Sequence, residues 1–235
     1  MRHRGILFDL FHTLTGRESQ WAEWPTTSAL LRIDRKAWNE ALLARSRWRL
    51  AGEERDPVAI VRALTHLVDP SIGEDEIRAA TKARIERFRE ALIRIPEENL
   101  DALRKLRDAG FRLGLVSNAD VMEVAAWHES PLRGMFDVEA FSCHVGSVKP
   151  EPEIYCYGLG RLGLEARDCI FVGDGGSREL EGAKAVGMRT VLVYGVIEEL
   201  WPDVIAARRE LADHSIRFVP ELLPHVGLGS SHTQA

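Results

Sequence analysis

The sequence predicts an α/β fold: a doubly wound, mostly parallel sheet with a small all-helical domain inserted into it. Three observations carry that expectation. Short, continuously apolar runs end in polar turns. Helical patterns alternate with those runs. One long segment breaks the alternation and holds no convincing strand.

Residues 4–8 (RGILF) read as the first strand, apolar on both faces as a parallel strand covered by helices would be. Four further runs read the same way: Phe111–Val116, Ala140–Cys143, Cys169–Val172 and Thr190–Val193. Between them lie helical patterns at Glu98–Ala109, Val121–Glu129, Glu151–Leu162 and Glu179–Val186. Gly110 and Gly187 stand where helices commonly end, and Pro150 and Pro152 bracket a helix start. From about Gly16 to Ile95 three helices are expected. One is capped by Asp34, one begins at Asp56-Pro57, and one carries Ile77, Ala80, Ile85, Phe88 and Leu92 on one side. That stretch of about eighty residues exceeds any ordinary loop, and both its ends pass the tip of strand one, where such sheets bind ligands. Beyond Gly195 a helix around Pro202–Leu211 and a short strand, Ile216–Val219, are expected, followed by a frayed tail.

Composition narrows the function. The chain has 235 residues, is 45% hydrophobic and has a net charge of -5. It can therefore bury a sizeable core, and it has no basic block to suggest nucleic acid as a partner. Three widely spaced cysteines (Cys143, Cys156, Cys169) suit a reducing compartment better than a disulfide framework, and Cys143 and Cys169 read as buried fillers. The first apolar run is broken by Asp9 and no run is long enough to span a membrane, so the cytoplasm is the expected location and no membrane partner is expected.

Four polar segments each follow a predicted strand, and a parallel sheet would bring them to one edge. They are FDLFHTLT with Asp9, LVSNAD with Ser117 and Asn118, GSVKPEPEIY with Lys149, and IFVGDGGSRELEGA with Asp174 and Glu179. A carboxylate that attacks a phosphoryl group brings an anion to an anion, which requires cations to neutralise the target. Asp9 and Asp174 suit a shared Mg²⁺, Lys149 would add positive charge, and Ser117 and Asn118 would hold the phosphate oxygens of a small phosphorylated substrate.

These four segments resemble the motifs of the haloacid dehalogenase superfamily over residues 4–15 and about 98–194, and the helical insertion is placed like that superfamily's type 1 cap. The resemblance implies a Rossmann-like core over residues 1–16 and 96–235 and a cap over 17–95. It implies Asp9 as nucleophile and metal ligand, the backbone carbonyl of Phe11 as a second ligand, Asp174 as a third, Ser117 on the phosphate and Lys149 as the charge stabiliser. Glu179 falls where the family often has an acid that supports the metal waters or the lysine.

One position departs from the pattern. Phosphatases of this family usually carry an aspartate, as general acid and base, where this chain has Phe11, which cannot transfer a proton. Three readings follow. The first is an Mg²⁺-dependent phosphatase working through an aspartyl-phosphate at Asp9, with a good leaving group or a proton from another residue such as His12. The second is a metal-independent 2-haloacid dehalogenase, whose members carry a tyrosine at this position. The third is a degenerate member that only binds a ligand or partner. Retention of Asp174 favours the first, because a carboxylate beside an anionic substrate needs a cation. In the insertion, Trp21 and Trp24 are expected near the cleft or in the insertion's own core, with Trp38 and Trp48 on one side of a helix. Arg17, Arg45 and Arg49 are expected on solvated faces.

Overall fold

The structure is a computed structural model and describes residues 4–16 and 24–228. Its centre is a six-stranded parallel sheet built from β1 (Gly5–Phe8), β2 (Arg112–Ser117), β3 (Val138–Phe141), β4 (Cys169–Gly173), β5 (Arg189–Val193) and β6 (His214–Ile216). The order β3-β2-β1-β4-β5-β6 is that of a doubly wound sheet, reversing direction between β1 and β4. The register sets Phe8 beside Val172 and Leu115, so β1, β2 and β4 end within two residues of one another at the same edge.

Both faces of the sheet are covered, which is why its strands are apolar throughout. Ile6 and Phe8 point into a cluster with Leu103 and Leu106 of α6 (Glu97–Asp108), and Leu7 points into the opposite cluster. That second cluster includes Tyr155 and Leu159 of α8 (Pro152–Leu162) and Leu180 and Ala183 of α9 (Glu179–Ala185). Gly110 and Gly187 end helices with positive φ, as expected.

Between β1 and α6 lie α1 (Thr27–Leu30), α2 (Arg35–Ala44), α3 (Ser46–Leu50), α4 (Pro57–Val68) and α5 (Glu74–Ile93). Asp34 caps α2 through the Lys36 and Ala37 N–H groups, and Asp56 caps α4 through Val58. These helices bury Trp38, Ile60, Leu64, Ile77 and Ala80 in a separate cluster that also takes in Met122 from the turns after β2, with Trp48 packed against it. The two short helices α1 and α3 were not legible as such.

Three expected elements differ. Val121–Glu129 is not an α-helix but a run of i to i+3 turns ending in a 3₁₀ turn at Trp127–Glu129. Asp120 Oδ1 takes the Met122 and Glu123 N–H groups and Glu123 Oε2 takes the Asp120 N–H, the contacts of a helix start, yet the backbone bonds that follow run from i to i+3. β3 lies two residues before Ala140–Cys143, because Ser142 starts α7 (Ser142–Val145) while its hydroxyl bonds the backbone of Ala119. Beyond β5 the chain forms α10 (Gly195–Leu200) and α11 (Ile205–Leu211), then β6, which starts two residues before the expected Ile216–Val219 and ends at Ile216, and then α12 (Leu222–His225). No helix among the described residues is long and apolar enough to cross a membrane.

Candidate active site

Asp9 is the first residue past β1. Its N–H still donates to the Val172 carbonyl at 2.9 Å, so β4 holds its backbone. The chain then turns sharply. Leu14 and Thr15 N–H groups return to the Leu10 carbonyl, His12 takes a left-handed φ of 62°, and the Thr13 hydroxyl donates to Asp9 Oδ2 at 2.9 Å. Thr13 lies within the quoted FDLFHTLT run, yet nothing in the residue alone assigns it this task.

Lys149 reaches the same carboxylate from beyond α7. Its Nζ donates to Asp9 Oδ1 and to Glu179 Oε2, both at 2.5 Å, with all three residues buried. One carboxylate oxygen each from Asp9, Asp174 and Glu179 lies within 4.8 Å of the other two. Glycine permits this closeness: a Cβ on Gly173 would lie 2.2 Å from Glu179 Oε1. Burial pushes the carboxyls of Asp9 and Glu179 above their ordinary range, assisted by their negative neighbours and opposed by Lys149. Burial acts against the Lys149 ammonium too, but Asp9 and Glu179 outweigh it and hold the ammonium above its ordinary range.

Ser117 ends β2 with a buried hydroxyl that has no hydrogen-bond partner among the described residues. Asn118 faces the other way: its amide donates to the Lys149 carbonyl at 3.1 Å and accepts from the Lys149 N–H at 2.7 Å. The amide expected on the substrate therefore secures the lysine segment. Asp174 Oδ1 accepts from the Gly176 N–H at 2.7 Å. Sequence reading missed Arg208, on α11, whose Nη1 donates to the Asp174 carbonyl at 2.7 Å and to Asp174 Oδ2 at 3.3 Å. No motif surrounds Arg208 that would have marked it.

Over the strand tips lies a cavity of about 280 Å³ whose walls include Phe11, His12, Trp38, Arg84, Phe88 and Trp201. The Phe11 ring meets Phe88 of α5 edge-on at 5.4 Å between centroids, and His12 meets Trp201 in the same way at 5.2 Å. Below it, Arg49 and Arg84 enter a buried cluster with Asp120 and Glu123. Arg49 bonds Asp120 at 2.8 Å and Arg84 bonds Glu123 at 2.5 Å. Arg49 is thus buried against the sheet side of the molecule, not solvated as expected, because two carboxylates three residues apart offer it a partner. Trp24 is exposed, and Trp21 and Arg17 lie outside the described residues.

The model of the haloacid dehalogenase-like hydrolases matches residues 3–187. The chain belongs to that family. Among curated relatives, it is 28% identical to glyceraldehyde 3-phosphate phosphatase of Methanocaldococcus jannaschii, over 94% of this chain and 95% of that one. It is also 28% identical to phosphoglycolate phosphatase of Pectobacterium atrosepticum, over 98% and 95% of the two chains. Among solved structures, a HAD phosphatase from Thermococcus onnurineus superposes with a TM-score of 0.63 at 26% identity, covering 95% of this chain and 98% of that one. The L-2-haloacid dehalogenase RSc1362 shares the fold with a TM-score of 0.68 at 23% identity, covering 96% and 99%. The chain is accordingly a hydrolase of this family with phosphatase relatives, on an α/β sheet of the Rossmann-like kind.

Proposed function

We propose that this hydrolase is an Mg²⁺-dependent phosphatase that cleaves a small phosphorylated metabolite through an aspartyl-phosphate at Asp9. One observation carries the reading: three buried carboxylates crowd together at the strand tips, two of them bonded to a buried lysine. A dehalogenase has no need of the third. Oxygen donors crowded into one buried spot are what Mg²⁺ selects, so the residues fit the ion. Asp9, Asp174 and the Phe11 carbonyl would hold it, and when bound it neutralises the repulsion between carboxylate and phosphate.

The chain's own residues account for the rest. Thr13 and Lys149 fix the Asp9 carboxylate in one orientation, and the ammonium favours the anionic form of the nucleophile against the effect of burial. The unpartnered Ser117 hydroxyl supports a phosphate oxygen as its missing partner. An Asp9 oxygen attacks phosphorus, the bond from phosphorus to the leaving oxygen breaks, and water then hydrolyses the acyl phosphate. The aromatic wall shields the centre from bulk water.

A phosphate-release panel of metabolite phosphates, run with Mg²⁺ and with EDTA, tests the proposal. Release is expected only with the metal, and Asp9→Asn is expected to abolish it. Full turnover by Asp9→Asn would remove the nucleophile.

The aromatic Phe11 favours a second reading, the 2-haloacid dehalogenase, since a halide leaves without a proton. Halide release from 2-chloropropionate that persists in EDTA would replace the phosphatase by that activity.

A further inference from the structure

Arg208 touches the candidate metal carboxylate, although it lies outside every segment that resembles the family motifs. Its Nη1 bonds both the carbonyl and Oδ2 of Asp174, and its stem lies against Gly175. A Cβ on Gly175, whose φ is +80°, would sit 2.9 Å from Arg208 Cδ, so the loop is shaped to admit that side chain. The charges divide unevenly around the centre. Lys149 serves Asp9 and Glu179, while Arg208 serves Asp174. Asp174 Oδ1 is already held by the Gly176 N–H, which leaves Oδ2 as the oxygen that Arg208 contests. His12 stands farther from the same oxygen, at 3.8 Å.

We infer that Arg208 is a built-in counter-cation for Asp174, a positioning residue that holds the metal-free loop in place and competes with the divalent ion for Oδ2. This rests on the metal reading above and adds to it that the chain lowers its own affinity for Mg²⁺. The bond at 2.7 Å to the Asp174 carbonyl is independent of the carboxylate, so the loop keeps an anchor when Oδ2 changes partner. Three buried carboxylates without cations would repel one another; Arg208 and Lys149 together let the loop assume its shape before any ion arrives.

The test is Mg²⁺ binding by titration calorimetry on substrate-free protein. Arg208→Gln is expected to tighten binding by about tenfold or more, the effect of removing a like charge close to a divalent ion even under water-like screening. Arg208→Lys, which keeps the charge, is expected to stay within about twofold of the wild type on the same grounds. Unchanged or weaker binding by Arg208→Gln, with normal binding by the wild type, overturns the competition alone. Failure of the wild type to bind Mg²⁺ overturns the metal reading and the competition with it. Should Arg208→Gln not fold, the wild type still decides: Mg²⁺ must shift the Arg208 side-chain N–H resonance, assigned by its loss in Arg208→Lys. A resonance unmoved at saturation overturns the inference.

Discussion

Phe11 decides which leaving groups the proposed phosphatase can expel. Its ring packs on Phe88 and offers no proton, so an alkoxide would have to leave uncompensated. The wild type is therefore expected to turn over acyl and aryl phosphates well and alkyl phosphates poorly. Phe11→Asp is expected to raise kcat on an alkyl phosphate by about 10²–10⁴, the worth of a positioned general acid. Steady-state kinetics on p-nitrophenyl phosphate and glycerol phosphate check this, and equal gains on both would show that proton transfer is not what the position lacks. Asp9 and Asp174 were legible in the sequence because each follows a strand, and a parallel sheet gathers strand ends whatever their separation, whereas Lys149 reaches the same edge from beyond α7. Arg208 was not, since a helix that folds back onto a loop 34 residues earlier leaves no local signal. Asn118 was half legible: its place was right, but an amide's partner is decided by what the neighbouring strand tip presents.

At the scale of elements, α5 joins the two halves of the site. Arg84 bonds Glu123 and stacks over the Phe88 ring at 4.8 Å, and Phe88 meets Phe11, so one helix touches the chain after β1 and the turns after β2. The strands and long helices were readable because burial imposes their periods. The turns at 120–129 were not, because Asp120 and Glu123 make the contacts of a helix start and only the i to i+3 backbone bonds beyond them depart from a helix. Removing one cation from this dry cluster leaves two carboxylates to share Arg49, so Arg84→Leu is expected to cost about 3–5 kcal/mol in urea unfolding. Adding Glu123→Leu should recover part of that loss, the mark of coupled neighbours. A loss below about 1 kcal/mol would mean that the four charges act separately. The insertion also meets the sheet side through Gly52, whose φ is +69° and whose Cβ, if present, would lie 2.2 Å from the Cys143 carbonyl. Gly52→Ala should therefore force the two elements apart, lowering the melting temperature and lifting KM more than a surface change would.

At the scale of the molecule, two sets of carboxylates are shifted in opposite directions and respond oppositely to pH. Surface acids such as Glu74, Glu129 and Glu181 pair with Arg62, Arg89 and Arg178, and these bonds hold them below the ordinary carboxylate range. Their stabilisation is present at neutral pH and fades as pH falls through their lowered values. Asp9, Glu123 and Glu179 are raised instead, chiefly by burial. A raised acid binds its proton more tightly in the folded state, so its charging opposes folding as pH climbs from the unfolded value through the folded one. In EDTA the protein is thus expected to be most stable at mildly acid pH and to lose melting temperature towards pH 8. Lys149 does not reverse this, since its raised value keeps it charged throughout that window. Mg²⁺ should restore stability at pH 8 far more than at pH 5, because an ion that binds only the folded, ionised site stabilises it in proportion to occupancy. Asp9→Asn, which removes one of the crowded charges, should melt higher than the wild type at pH 8 in EDTA and show a flatter profile. Melting curves of both proteins between pH 5 and 8, with and without Mg²⁺, decide the matter. A wild-type melting temperature that climbs steadily over that range in EDTA would mean the crowded carboxylates do not burden the fold.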